Sequence, residues 1–197
     1  MHGRSNTPSD EKRQNHAKKK TIEYGERDEV ERAEYQAEIS EVPKETRYYV
    51  DQSGINKYLY REYGYALRGE KVYGKVQGKK FERVNIVAAQ CGKEIVGRCE
   101  YTCNMNSKLF ELWFVQVLLP EIPKGSVIIM DRASWHRKKV LKKLAEEASC
   151  RVIFLPAYSP DFNPIEQTWA NLKTFIKNFM LDFSSLNDAI NHYFQFA

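Results

Sequence analysis

Hydrophobic and polar positions along the chain follow two periods, one typical of strands and one typical of helices. Short apolar runs rich in Val, Ile and Tyr, bounded by polar or Gly-containing turns, predict five β-strands. The predicted strands are residues 47–52, 84–89, 94–101, 127–130 and 151–155. Apolar residues spaced three and four apart predict helices. The predicted helices are residues 27–39, 107–119, 137–148, 164–180 and 184–197.

The order of these elements predicts the fold class. Three successive strands form an antiparallel meander, and the later strands are reached by helical crossovers. This order matches an α/β, ribonuclease H-like fold, a mixed five-stranded sheet flanked by helices in which the fourth strand lies beside the first. A chain of 197 residues has room for one well-buried domain, predicted at residues 44–197. Residues 1–43 are predicted to be a basic tail followed by a charged linker helix.

Local signals predict where the elements end. Ser53-Gly54 is expected to break the first strand. Ser107 is expected to cap the second helix, and Pro120 is expected to stop it because proline does not continue a helix. Asn163 is expected to cap the last long helix, and Pro164 suits its first position.

Three acidic residues occupy positions that packing explains poorly. Asp51 and Asp131 each end an apolar, strand-like run, and Glu166 lies on the first turn of the last long helix. An ionised carboxylate at the end of a buried strand is costly unless it is paired or binds a metal. Glu166 has a second explanation, since it lies three residues after Asn163 and is spaced to close a capping box. The three residues together favour a cation site.

Positive charge is distributed unevenly, which favours a polyanionic partner over a membrane surface. There are 31 Lys and Arg residues against 26 Asp and Glu, a net charge of +5. In the insert at residues 56–83, basic residues alternate with tyrosines, a pattern that can follow phosphates and stack on bases; a hairpin with a solvated outer face is equally compatible. Lys173 and Lys177 share a helical row with Glu166. The predicted DNA-contacting residues are Lys57, Arg61, Arg68, Lys71, Lys75, Lys79, Lys80, Lys173 and Lys177.

Cysteine usage and hydropathy indicate the compartment. Cys91, Cys99, Cys103 and Cys150 have neither paired C-x-x-C spacing nor nearby histidines, so reduced thiols are expected. No run approaches the roughly 20 apolar residues of a membrane span. Residues 1–20 lack a hydrophobic period and are expected to be disordered. We expect a cytoplasmic protein that is associated with the nucleoid when it is bound to DNA.

Three sequence blocks resemble the catalytic blocks of the mariner-like superfamily of DDE transposases, especially its bacterial insertion-sequence branch. They are Asp-Gln-Ser-Gly from Asp51, Met-Asp-Arg-Ala-Ser-Trp-His from Met130, and Leu-Pro-Ala-Tyr-Ser-Pro-Asp-Phe-Asn-Pro-Ile-Glu ending at Glu166. The 34 residues between Asp131 and Glu166 also agree with the superfamily. The resemblance covers residues 44–196, and the charged helix before them resembles the family's interdomain linker.

The resemblance implies a function and a site. Asp51, Asp131 and Glu166 would be the catalytic residues and would bind two Mg²⁺ or Mn²⁺ ions about 4 Å apart. Without metal, repulsion between the carboxylates would leave the site mobile or partly protonated. The reaction would be metal-dependent cleavage and strand transfer of an insertion element by a homodimer on double-stranded DNA. A helix-turn-helix portion, separate or joined by frameshifting, would recognise the element's ends.

Two other functions stay open at this point. One is a catalytically inactive, DNA-binding remnant of a transposase. The other is a ribonuclease H-like nuclease that acts on RNA–DNA hybrids.

Four neighbouring residues add to the prediction or depart from the family. His136 lies where the family often has a histidine, in an auxiliary role near the metals or in a structural one. Asp161 is expected to cap its own turn. Gln52 replaces the usual Glu and is expected to be tolerated. Arg132 replaces the usual Asn, and its guanidinium is expected either to pair with a metal-binding carboxylate or to contact a phosphate.

Overall fold

The computed structural model describes residues 25–57, 66–67, 69–71, 73 and 82–196. In this part of the chain, five strands form one sheet in the order β3-β2-β1-β4-β5. The strands are β1 Arg47–Asn56, β2 Arg83–Cys91, β3 Glu94–Tyr101, β4 Val127–Met130 and β5 Arg151–Phe154. β1 pairs antiparallel with β2 and parallel with β4, so the sheet is mixed. The predicted fold class is confirmed.

Helices cover both faces of this sheet. They are α1 Glu29–Ser40, α2 Ser107–Trp113, α3 Leu119–Glu121, α4 Lys138–Glu147, α5 Ile165–Phe179 and α6 Leu186–Phe196. A π-helical turn, Phe114–Leu118, joins α2 to α3. None of the helices in the described ranges is long and apolar enough to cross a membrane. The tail predicted at residues 1–20 lies outside the described residues.

The first strand is longer than predicted. Ser53 and Gly54 do not break it, because they continue the ladder opposite Ile86 and Asn85 of β2. Pairing with β4 stops earlier, at Val50 opposite Met130. Asp51 therefore lies inside β1 but at the point where its parallel neighbour ends.

Side chains along the central strands alternate between the two faces of the sheet, and each face has its own hydrophobic core. Even-numbered residues of β1 and β4, such as Tyr48 and Ile128, pack with α2, the π-helical turn and α4. On the other face, Ile55 and residues of β2 pack with α5 and α6. Since Asp51 is one residue after Val50, its side chain lies on the α5 face.

The second helix has different ends from those predicted. Asn106 caps it, accepting a hydrogen bond from Leu109 N–H at 3.0 Å, while the Ser107 hydroxyl donates to the Trp135 carbonyl at 2.6 Å. Pro120 does not stop the helix, which ends at Glu121. Pro120 lies just after the π-helical turn, at the next-to-last residue of this continuous helix.

Helix α1, the predicted linker helix, packs on the sheet through a third core cluster. Tyr35 and Val42 are buried against Ile129, Ile153 and Leu155 of the central strands and the loop after β5. Asp28 begins the helix by accepting hydrogen bonds from two of its amides. α1 is therefore in direct contact with the strands that carry the acidic residues.

Candidate active site

Asp51 is held by the centre of the sheet and by α5. It is opposite Ala88 in the β1–β2 ladder, and its Oδ2 accepts a hydrogen bond from Trp169 Nε1 at 3.1 Å. Trp169 itself is 3% exposed, and its ring fills the core beneath α5. The indole therefore fixes this carboxylate from the apolar side.

Asp131 directly follows β4. Its Oδ1 accepts a hydrogen bond from Ala133 N–H at 3.2 Å and lies 3.2 Å from Nδ1 of His136. The His136 ring is buried against Phe110 and Trp135, with ring centroids 4.5 and 4.0 Å away. Aromatic packing thus orients the His136 ring so that Nδ1 contacts Asp131. The auxiliary role of His136 near the metals stays a prediction.

Glu166 lies on the exposed first turn of α5, as predicted, but the capping prediction is wrong. Asn163 N–H donates to the Pro160 carbonyl at 2.9 Å, so it is not the partner of Glu166 in a capping box. Asn163 is 4% exposed, and its Oδ1 has no hydrogen-bond partner within the described residues. The helix is instead started by Pro164, whose φ of −62° and ψ of −24° are already helical.

The three acidic residues line one cleft. It has a volume of about 570 Å³ and is also lined by Arg132 and by the loop from Leu155 to Pro160. A smaller cavity of about 190 Å³ joins Asp51 and Asp131 to His136. Within the described ranges, no three His, Cys, Asp or Glu side chains form a ready-made cluster for a metal ion. The acidic groups thus share a cleft without converging on one point.

The environments of the three carboxylates separate their pKa values. Burial, together with the charges of Asp131 and Glu166, raises the pKa of Asp51 to about 7, although hydrogen bonds from Gln52 and Trp169 oppose this. Burial and the charge of Asp131 also raise the pKa of Glu166. Burial pushes the pKa of Asp131 upward, but hydrogen bonds from His136 and Ala133 outweigh it and lower the pKa. The site therefore binds a proton more readily than separate carboxylates would.

The structure decides the contacts of the three remaining neighbours. Arg132 forms an ion pair with Glu31 of α1. Asp161 does not cap its own turn; it forms ion pairs with Arg27 and Arg32, because α1 brings both guanidinium groups to that turn. Gln52 accepts a hydrogen bond from the Tyr101 hydroxyl at 2.7 Å.

The predicted DNA-contacting residues fall into three groups. Lys173 and Lys177 lie on α5, and the positive charge of Lys173 opposes the upward shift in the pKa of Glu166. Lys57 forms an ion pair with Glu82 at 3.3 Å, and Lys71 is exposed. The others lie outside the described residues; they are Arg61, Arg68, Lys75, Lys79 and Lys80.

Two residues at the site were missed by sequence reasoning. Trp169 lies within the helix predicted at residues 164–180, and apolar spacing predicts that such a side chain is buried but not where its N–H points. Arg32 was one charge among many in a charged helix, yet it is 9% exposed. Nothing in the local pattern distinguishes it from its neighbours.

Comparisons with known proteins agree with this geometry. A crystal structure of a pre-cleavage Mos1 transpososome is 12% identical, with a TM-score of 0.73 over 94% of this chain and 61% of that chain. A Mos1 mariner paired end complex with Mn is 14% identical, with a TM-score of 0.73 over 93% of this chain and 60% of that chain. An uncharacterized protein, y4pE/y4sA, of Sinorhizobium fredii is 32% identical over 68 residues, 34% of this chain and 47% of that protein.

The fold and the acidic cleft define a class of protein, the ribonuclease H-like folds that carry carboxylates in or just after the two central strands, β1 and β4. Within that class, the family model for a DDE superfamily endonuclease matches residues 46–187. The chain belongs to this family. It spans about 60% of the Mos1 chains and about half of the Sinorhizobium protein.

Proposed function

We propose that this chain is the catalytic portion of a DNA transposase of the DDE superfamily, which cleaves DNA strands and transfers them. The observation that carries the proposal is the cleft shared by Asp51, Asp131 and Glu166, each delivered by a different element of the sheet–helix core. The sequence positions of these residues in a matching DDE superfamily endonuclease domain support the same assignment.

We propose that the same three carboxylates hold two Mg²⁺ or Mn²⁺ ions. Carboxylate oxygen is the ligand that hard divalent cations prefer. Burial is the main cause of the raised pKa of Asp51, and the charges of Asp131 and Glu166, which a cation would offset, add to it. Two buried polar atoms beside the carboxylates, His136 Nε2 and Asn163 Oδ1, have no partner among the described residues and suit a hydrated ion. Such a pair of ions supplies activation of the attacking oxygen and stabilisation of the leaving oxygen. Related Mos1 complexes carry Mn or Mg in their descriptions.

The surrounding residues prepare the carboxylates for this role. Trp169 Nε1–H donates to Asp51 Oδ2 and favours its ionised form. His136 and the Ala133 amide do the same for Asp131. A cation held by Asp51 would favour its ionised form, so metal binding and deprotonation of Asp51 would be coupled.

The partner we propose is double-stranded DNA, bound by a homodimer that brings two element ends together. Lys173 and Lys177 extend from the cleft along α5 and suit the phosphates of a duplex that enters it. The descriptions of Mos1 as a paired-end complex and as a strand transfer complex support this arrangement. We assign recognition of the element's sequence to a helix-turn-helix portion outside residues 46–187.

The test is nicking and joining of a labelled DNA duplex by the purified chain with Mg²⁺ or Mn²⁺. Asp131→Asn and Glu166→Gln should each lower the rate at least about 100-fold, since removing a ligand forfeits several kcal/mol of transition-state stabilisation. Glu147→Gln, at the end of α4 in the other core layer, is the matched control and should leave the rate unchanged.

Other outcomes identify the competing functions. DNA binding that needs no metal, with no nicking by the unaltered chain, would identify an inactive remnant. Cleavage selective for an RNA–DNA hybrid would identify a ribonuclease H-like nuclease.

A further inference from the structure

Helix α1 is fastened beside the cleft by the buried side chain of Arg32. Its Nη1 donates to Ser159 Oγ at 2.6 Å, and its Nη2 donates to Asp161 Oδ2 at 2.7 Å. The same guanidinium lies 4.0 Å from the ring centroid of Phe162, on which Tyr35 also stacks at 5.2 Å. Charge-assisted hydrogen bonds from an almost buried group are among the stronger polar contacts, so α1 is held firmly against the loop that leads into α5.

This docking brings Glu31 to the residue that follows Asp131. Glu31 Oε1 forms an ion pair with Nη1 of Arg132. The two side chains are 28% and 36% exposed, so the pair lies at the rim of the protein, not in its core. Arg132 nevertheless lines the same cleft as the three acidic residues. The guanidinium of Arg132 thus forms part of the cleft wall and is paired with Glu31 of α1.

A guanidinium without this partner would be attracted to the acidic cleft. Arg also matches carboxylates in a bidentate geometry. Arg132 turned toward Asp131 would therefore compete with a cation for the same oxygens.

We propose that Glu31 is a positioning residue that keeps Arg132 away from Asp51, Asp131 and Glu166, so that these carboxylates stay available to divalent cations. The inference rests on the proposed function, because it assumes that the carboxylates bind cations. It also makes α1 part of the catalytic unit, although the family match begins only at residue 46.

The experiment is a double-mutant cycle on the full chain, read out as Mn²⁺ affinity by electron paramagnetic resonance of free Mn²⁺. Glu31→Gln should weaken Mn²⁺ binding roughly tenfold, a typical coupling between neighbouring charges. Arg132→Gln should bind Mn²⁺ as tightly as the unaltered chain or more tightly. In the Arg132→Gln background, Glu31→Gln should change the affinity less than about twofold, because no guanidinium is left to position.

The control uses another ion pair of α1. Glu38 contacts Arg151 of β5 at 3.6 Å, so Glu38→Gln removes the same charge from the same helix without touching the cleft. It should leave Mn²⁺ affinity unchanged. Thermal unfolding of each variant shows whether it folds, and breaking a rim ion pair costs only about 0–1 kcal/mol.

The outcomes separate this inference from the proposed function. If the unaltered chain binds no Mn²⁺, the proposed metal site fails. If it binds Mn²⁺ and Glu31→Gln binds equally well, the metal site stands and the role of Glu31 is refuted. Equal effects of Glu31→Gln with and without Arg132 would also refute it, because they would show only a general loss of negative charge. Weaker binding by Arg132→Gln would show instead that the arginine supports the site.

Discussion

At the scale of single residues, Asp51 and Asp131 have different pKa values because their surroundings differ. Asp51 lies in the ladder between the sheet and Trp169, so burial dominates its titration. Asp131 follows the end of a strand, where an amide and His136 stabilise the ionised form. The pKa values of two carboxylates in one cleft are therefore shifted in opposite directions, upward for Asp51 and downward for Asp131.

Asp51→Asn should stabilise the metal-free chain at high pH. The folded-state pKa is raised to about 7 from 3.8, so the stability that protonated Asp51 contributes is complete below pH 3.8 and is lost as pH rises to about 7. Asn carries no charge and avoids this loss. We expect the free energy of unfolding of the variant to exceed that of the unaltered chain by about 1–4 kcal/mol at pH 8 and to differ little from it at pH 4. The measurement is urea unfolding in the presence of a chelator. Equal pH dependence of the two chains would contradict this.

Trp169→Phe should raise the pKa of Asp51 further, because the hydrogen bond from Nε1 favours the ionised carboxylate. The measurement is the carboxyl ¹³C titration of Asp51 in the metal-free chain. Trp113→Phe is the matched control, since it loses an indole hydrogen bond to the Gly97 carbonyl at 2.7 Å on the other face of the sheet. It should lower thermal stability but leave the titration unchanged. A shift of equal size in both variants would assign the effect to general loosening of the core.

At the scale of elements, the active site is assembled by helices that approach the same sheet edge from different parts of the chain. α5 supplies Glu166 and the bond to Asp51, and α1 supplies the partners of Asp161 and Arg132. The loop Ser159–Asn163 lies between them and begins α5. The position of Glu166 therefore depends on contacts made by a helix more than 120 residues earlier in the chain.

Asp161→Asn should loosen α1. Hydrogen bonds and charge from Arg32 and Arg27 hold the pKa of Asp161 below its ordinary value, so its contribution to stability is present above about pH 4 and is lost as pH falls through the lowered pKa. The Asp161 side chain is 46% exposed, so solvent screens part of the ionic attraction, while the hydrogen bonds to the buried Arg32 are retained in full. We expect the variant to lose about 1–2 kcal/mol at pH 7, measured by denaturant unfolding, with the difference shrinking below pH 4. Glu38→Gln, which breaks the exposed pair with Arg151, should cost less than about 1 kcal/mol. A loss from Asp161→Asn that is the same at pH 3 and pH 7 would refute the ionic contribution.

At the scale of the whole molecule, the two faces of the sheet have different partners. The α5 face carries the cleft and the lysine row, while α4 on the other face carries basic residues that do not lead to the acidic groups. Net positive charge alone therefore does not identify the DNA-binding face. The position of the charge relative to the cleft leads us to propose that DNA binds to the α5 face.

Lys173→Ala and Lys177→Ala should each weaken DNA binding similarly for all sequences. Loss of one phosphate contact lowers the slope of log affinity against log salt by about 1. The measurement is fluorescence anisotropy of a labelled duplex at several salt concentrations. Lys142→Ala on α4 is exposed and removes the same charge from the opposite face, so its slope should stay as in the unaltered chain. Equal slopes for all three variants would place the duplex elsewhere.

The sequence by itself determined the element order, the fold class and the three acidic positions. The element order and the fold class follow from local periodicity, and the two aspartates follow from the cost of placing a carboxylate next to a buried strand. Glu166 follows from its place at the start of a predicted helix and from the resemblance to the DDE blocks. The sequence also placed Lys173 and Lys177 in one row with Glu166, because helical spacing is a local property.

Only the tertiary structure decided which groups meet. Trp169 contacts Asp51 across 118 residues, and Arg32 contacts Asp161 across 129 residues. Such pairs depend on the order of strands in the sheet and on where α1 docks, and residue spacing carries neither. The same reason explains why the sequence leaves Arg132 either to pair with a metal-binding carboxylate or to contact a phosphate, whereas in the folded chain it pairs with Glu31.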